Sequence, residues 1–220
     1  MARIVAYAMS PGSHRPKRMT SLQADPTSGS MSGARQIPSP NHDARPAGVV
    51  PELIVVHGIS MPPGEFGGPW IDRLFTNTLP ADAHPYFAEV AALTVSSHLC
   101  IARDGAVTQY VSFNERAWHA GLSSYNGRSA CNDFSIGIEL EGADSVAYEA
   151  RQYRALADAV AALCAAYPTL SPQRLVGHSD IAPGRKTDPG PAFDWQHARG
   201  LIAAAVGGAP TEHNAASRPA

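Results

Sequence analysis

The stretch Phe134-Ser135-Ile136-Gly137-Ile138-Glu139-Leu140-Glu141 (FSIGIELE, 134–141) alternates between apolar and polar or small residues along its whole length. Successive side chains of a β-strand point to opposite faces. Phe134, Ile136, Ile138 and Leu140 therefore line one side, and Ser135, Gly137, Glu139 and Glu141 the other. The apolar row asks for a hydrophobic layer against it. The polar row aims Glu139 at a cleft, while Glu141, nearer the strand end, reads as a solvent-facing carboxylate. Upstream, Leu53-Ile54-Val55-Val56-His57 is a continuous apolar run, the pattern of a strand covered on both faces, with Leu53, Val55 and His57 on one side. Residues 95–102 and 106–113 flank Asp104-Gly105, a pair that favours a turn with positive φ and so a β-hairpin. Downstream, residues 148–167 carry Tyr153, Leu156, Val160, Leu163, Cys164 and Tyr167 at helical spacing, with Pro168 as the stop. A short helix opens at Trp70 after Pro69, and a last one runs from about 195 to 206. Strands alternating with helices give an α/β fold, a central mixed β-sheet flanked by helices.

The composition narrows the function. With 220 residues and 44% apolar content, the chain is long enough for one buried core plus tails. Charged residues make up 16% and the formal charge is −2, which argues against a nucleic-acid surface, since counterion release needs clustered Lys and Arg. His14-Arg15-Pro16-Lys17-Arg18 reads as a solvated basic patch. No apolar run approaches the roughly 18 residues of a membrane span. The apolar stretch 4–9 is shorter than the roughly 7–15 residues of a secretory core. Three cysteines, Cys100, Cys131 and Cys164, form no C-x-x-C pair and read as reduced residues of a reducing compartment. A cytoplasmic protein with neither nucleic-acid nor membrane partner is expected. Residues 1–33, rich in Ser, Gly, Pro, Met and Arg, are expected to be a disordered extension, 34–206 a single domain and 207–220 a flexible tail.

Chemistry concentrates in GHSDIAPGRKTDPGPAFDW (177–195). His178, Lys186 and Asp188 lie in a segment interrupted by Pro183, Gly184, Pro189, Gly190 and Pro191, too broken for regular helix or sheet. Burying an imidazole without a partner costs a few kcal/mol, so His57 and His178, each taken alone, fit hydrogen-bonded core histidines. Together with Asp188 they also form the donor set of a catalytic zinc site, because two imidazoles and one carboxylate leave a fourth tetrahedral position open. No compact His-Glu-x-x-His element is present, and spacing alone does not choose between these readings.

The segments HGISMPPGEFGGPW (57–70), HPYFAEVAALTVSSHLCIARDG (84–105), RAWHAG (116–121), CNDFSIGIELEG (131–142) and 177–195, with GARQIPSPNHDARP (33–46), resemble the AmpD-like zinc N-acetylmuramoyl-L-alanine amidases. That family shares its fold with phage amidases and peptidoglycan recognition proteins, and the resemblance covers about residues 34–203. It implies a zinc ion held by His57, His178 and Asp188, with Glu139 as general base and Lys186 stabilising the oxyanion. It implies hydrolysis of the amide between the lactyl group of N-acetylmuramic acid and L-alanine, in the 1,6-anhydro-muropeptides of peptidoglycan recycling, by a monomer. The prolines and glycines of 177–195 then make a stiff path that lowers the entropy lost in holding Lys186 and Asp188. Trp70 and Trp118 are candidates to stack on a sugar, or are plain core. His98 and His119 are candidates to line the cleft or orient a ligand, or are structural. Arg128 is a candidate to contact the peptide, or orders a loop.

Three positions depart from the family pattern. Gly58 stands where an Asn follows the first ligand. Thr94 and Ala130 stand where basic residues meet the diaminopimelate carboxylate, and such a loss removes a charge-assisted hydrogen bond of about 1.5–3 kcal/mol. Substrate grip is therefore expected to differ. Two other readings stay open: the same chemistry on intact peptidoglycan, as in endolysins or periplasmic amidases, or a non-catalytic peptidoglycan-binding module.

Overall fold

The computed structural model of the protein describes residues 21–208. In chain order, β1 (Gln23–Asp25) and β2 (Ser30–Ser32) form a ribbon, followed by β3 (Arg35–Gln36), β4 (His42–Ala44) and β5 (Leu53–Ile59). Helices α1 (Trp70–Phe75) and α2 (Pro85–Val90) precede β6 (Leu99–Ile101), β7 (Val107–Gln109), β8 (Glu115–Ala117), β9 (Ser124–Tyr125), β10 (Arg128–Ser129) and β11 (Ser135–Glu141). The long helix α3 (Ala150–Ala166), then β12 (Leu175–Gly177), the single turn α4 (His178–Ile181) and α5 (Trp195–Gly207) complete it. Six strands make one sheet in the order β12-β5-β11-β6-β7-β3. Its middle is parallel, and β6 and β7 pair antiparallel. This is the mixed α/β sheet with flanking helices that the alternating pattern asks for.

The alternation in 134–141 separates two layers, both covered. Every residue of β11 is buried. Its apolar row, with Ile54 and Val56 of β5, packs against Leu156, Val160 and Leu163 of α3 and Ala198 and Ile202 of α5. Each such valine, leucine or isoleucine contributes about 1.5–3 kcal/mol on burial. The polar row faces the other layer, which carries the loops and the cleft. Glu141 is therefore not solvent-facing: it is 6% exposed, its Oε2 accepts the Arg103 N–H at 3.1 Å, and its Oε1 accepts the Gly67 N–H. Gln152, in the first turn of α3, ties the layers together. Its Oε1 accepts the Glu149 N–H, and its Nε2 donates to the carbonyls of Ile101 and Glu141 at the ends of β6 and β11. The β6–β7 hairpin turns through Gly105 at φ 84, where a Cβ would also meet the Arg151 carbonyl at 3.0 Å.

Two expectations are corrected. The N-terminal extension is not irregular up to residue 33: residues 23–32 form the β1–β2 ribbon, with Met31 1% exposed and its N–H donating to Gln109 Oε1. Three-residue strands are too short to show a period. The segment 177–195 is not wholly irregular either. It opens with α4, whose first turn is closed by Asp180 accepting the Gly177 N–H at 2.7 Å. Expectations for residues 1–20 and 209–220, including the basic patch and the tail beyond Gly208, lie outside the described residues.

A half-buried cation braces the loops on the cleft side. Arg45 donates to the carbonyls of Phe113, Asn132, Asp133 and Ser135. Burial lowers its pKa to about 10, so it stays charged at neutral pH. Arg45→Met leaves those acceptors without their donor, and each buried unsatisfied group costs about 1–3 kcal/mol. Urea unfolding is expected to show a loss of about 4 kcal/mol, the lower end of that sum for four carbonyls.

Candidate metal centre and active-site cleft

The parallel register of β11 and β5 sets Glu139 directly beside His57. Both belong to the polar row, since their neighbours Ile138 and Val56 enter the helix-side core, so the two side chains rise together from strands about 4.8 Å apart. On the far side of β5, β12 runs parallel and ends at Gly177, and α4 delivers His178 to the same face. The chain then returns to bring Asp188 over the pair; its carbonyl accepts the Ser179 N–H at 3.0 Å.

Three donor atoms converge there. His57 Nδ1 and His178 Nδ1 are 3.0 Å apart, and Asp188 Oδ2 lies 3.2 and 3.1 Å from them. His57 is 1% exposed and His178 3%. Among the described residues, His57, His178 and Asp188 are the group able to hold a metal ion. Two imidazole nitrogens and one carboxylate oxygen match a borderline ion such as zinc, whose bonds of about 2.0–2.2 Å need ligands clustered this closely. Burial, and less so the neighbouring His178, lowers the His57 pKa to about 4 against the pull of Asp188. Burial alone would raise the Asp188 carboxyl, but its contacts with His178 and His57 outweigh that and hold it well below the usual carboxylate range. Glu139 goes the other way. Burial, reinforced by the Asp188 charge, pushes it well above the ordinary value despite Lys186. Its Oε2 is buried without a hydrogen-bond partner.

These groups open onto a cleft of about 410 Å³ that Lys186 also lines, with an apolar wall of Tyr86, Val90, Leu93 and Val95. Trp118 and His119 line it as well. Trp70, His98 and Arg128 do not, which corrects their reading as substrate contacts. Trp70 packs on Phe87 at 5.1 Å, within an apolar cluster that includes Leu74, Phe75 and Tyr110. His98 is 0% exposed, its Nδ1 accepting the Gly137 N–H and its Nε2 donating to the Glu115 carbonyl. Arg128 pairs with Glu52 and lies over Phe134. Neither Thr94 nor Ala130 lines the cleft; Ala130 sits at φ 59 next to β10. Gly58 leaves room for Tyr148, whose hydroxyl a Cβ there would strike and which donates to the Pro189 carbonyl at 2.9 Å, tethering the Asp188 loop.

Several residues that shape the site escaped the sequence reading. Arg185 donates to the carbonyls of Ala120 and Leu122, and Tyr148 holds Pro189. One signal was available: Gly137, inside a strand, marks a close approach. Here the His119 ring lies where a Gly137 Cβ would be, 2.6 Å from its Nδ1.

Comparison with known proteins agrees with this geometry. Residues 47–191 match the family profile described as N-acetylmuramoyl-L-alanine amidase. The chain is 59% identical over 174 residues to the 1,6-anhydro-N-acetylmuramyl-L-alanine amidase AmpD of Escherichia coli K12, covering 79% of this chain and 94% of that protein. It is 58% identical over 178 residues to the AmpD of Salmonella typhimurium SL1344, covering 81% and 95%. A crystal structure of a selenomethionine AmpD derivative superposes with a TM-score of 0.78 at 58% identity, covering 80% of this chain and 97% of that one.

Proposed function

The chain belongs to the N-acetylmuramoyl-L-alanine amidase family, and from that premise we propose that it hydrolyses the amide between the lactyl group of N-acetylmuramic acid and L-alanine in 1,6-anhydro-muropeptides. It does so as a zinc enzyme of peptidoglycan recycling. The observation that carries the reading is the triangle of His57, His178 and Asp188 donor atoms beside a buried carboxylate oxygen with no partner of its own.

His57, His178 and Asp188 would hold the zinc ion. When bound, zinc would supply Lewis acidity and lower the pKa of water towards neutrality. Glu139, raised in basicity by its buried setting, takes a proton from the attacking water and hands one to the departing alanine nitrogen, a role typically contributing about 10²–10⁴-fold. The Lys186 ammonium stands at the cleft to offset charge developing on the carbonyl oxygen. Trp118 offers its ring to the substrate from the cleft wall. The site is complete within one chain, as a monomer requires. The setting we propose is the cytoplasm, which keeps the free thiols of Cys100, Cys131 and Cys164 reduced.

The test is a substrate comparison with and without zinc. Chelation is expected to abolish release of peptide from soluble 1,6-anhydro-muropeptide, and zinc to restore it, with intact sacculi turned over far more slowly. Undiminished turnover after chelation, or preference for sacculi, overturns the reading.

A further inference from the structure

Each neutral imidazole carries one ring proton, so a ligating nitrogen must have its proton placed on the opposite ring atom. For His178, Nε2 lies 3.1 Å from the Ala120 carbonyl, which can only accept, and Arg185 Nη2, 3.4 Å from the same nitrogen, donates to that carbonyl at the shorter 2.6 Å. For His57 the placement runs through a chain of side chains. Ser135 Oγ donates to the Cys131 carbonyl at 2.6 Å and so meets His119 Nε2, 3.2 Å away, as an acceptor. His119 Nε2 therefore carries the proton and Nδ1 the lone pair. That lone pair accepts a hydrogen bond from His57 Nε2–H at 2.8 Å, which keeps the His57 proton on Nε2 and turns the Nδ1 lone pair towards Asp188 and His178. Three electron-rich atoms, 3.0–3.2 Å apart, then face one another with no hydrogen between them. Such a set of converging lone pairs suits a cation.

The surroundings hold His119 in place. Asn132 Oδ1 accepts both the His119 and the Ala120 N–H groups, at 3.1 and 2.7 Å. Gly137 clears the space for the ring. A glycine inside a strand is less stable than an alanine, and here the ring occupies the vacated volume.

We propose that His119 is a positioning residue for the metal: through Ser135 and the Cys131 carbonyl it fixes His57 in the tautomer whose Nδ1 lone pair faces the ion. This rests on the zinc-ligand reading above. It gives His119 a role in metal retention, distinct from contact with the substrate.

The experiment measures the zinc dissociation constant by competition with a chromophoric chelator, for the full chain and for His119→Phe, His119→Asn and Ser135→Ala. The full chain is expected to bind one zinc. His119→Phe weakens binding about 10–100-fold, the usual cost of losing such an outer partner. His119→Asn, whose Oδ1 can still accept the His57 proton, recovers most of that affinity, which a merely space-filling role would not predict. Ser135→Ala, one oxygen smaller, shows a lesser loss in the same direction and decides the matter if His119→Phe does not fold. Normal zinc affinity in His119→Phe overturns the inference, as does equal weakness of His119→Asn and His119→Phe. An altered KM with unchanged zinc binding would overturn it too, assigning His119 to the substrate. Absence of zinc binding by the full chain removes the ligand reading itself, and this inference with it.

Discussion

Glu139→Gln lowers kcat by about 10²–10⁴-fold and, in the zinc-free protein, raises the unfolding temperature. Both effects follow from one carboxylate. Its Oε2 is buried without a partner, and burial together with the Asp188 charge holds its pKa well above the ordinary value. The folded state thus binds a proton that the unfolded chain has released, over the pH range between the unfolded value of 4.5 and the raised one. Stability then falls as pH rises through that window, because the unfolded chain binds fewer protons there. Glutamine keeps the shape and removes the charge. Melting curves of the zinc-free proteins, taken from acid to neutral pH, should be close together at the acid end and diverge upward in favour of the variant. Coincident curves at neutral pH would mean that the carboxylate is solvated after all. Activity has the same origin. The group must be ionised to accept a proton, so it is poised by a setting that the fold alone would avoid.

Asp188→Ala is expected to lose the metal altogether at micromolar zinc, and with it all turnover above background. The carboxylate is the one anionic member of the cluster, and its removal leaves two buried imidazoles a bond apart. The effect shows in stability as well. A ligand bound only by the folded state adds about 2.7 kcal/mol at 100 times its dissociation constant and about 4.1 at 1,000 times. For a domain of this size that is roughly 5–15 °C in Tm. Zinc should produce such a shift in the wild type and none in Asp188→Ala, read by calorimetry. An equal shift in both would place the ion elsewhere.

The long elements could be read in the sequence because they span enough residues to show a period. The alternation of 134–141 and the helical spacing of 148–167 survive as β11 and α3, and Leu53 to His57 as the core of β5. The ribbons could not, since strands of two or three residues carry no period, and the single turn α4 was hidden among prolines. The site was less legible still. His57 and His178 lie 121 residues apart in the chain. Their convergence depends on β12 pairing parallel with β5, which no spacing rule announces; the family resemblance, not the pattern, singled them out. Trp70, His98 and Arg128 misled because a sequence shows which residues neighbour a motif but not which way they turn. Arg45 gave no signal at all. Its partners are main-chain carbonyls, which every residue type supplies equally.

The pairing of Glu139 with His57 across β11 and β5 has a consequence for how such a protein can diversify. The proposed acid–base chemistry is anchored to two interior strands, where a one-residue slip would exchange the apolar and polar rows between the two layers. Thr94 and Ala130, where the resemblance leads one to expect basic residues, lie instead on irregular segments at the periphery. Recognition can therefore be rewritten by exchanging surface loops while bond cleavage is inherited unchanged, so chimaeras carrying foreign rims on this frame are the natural place to look for new cell-wall specificities.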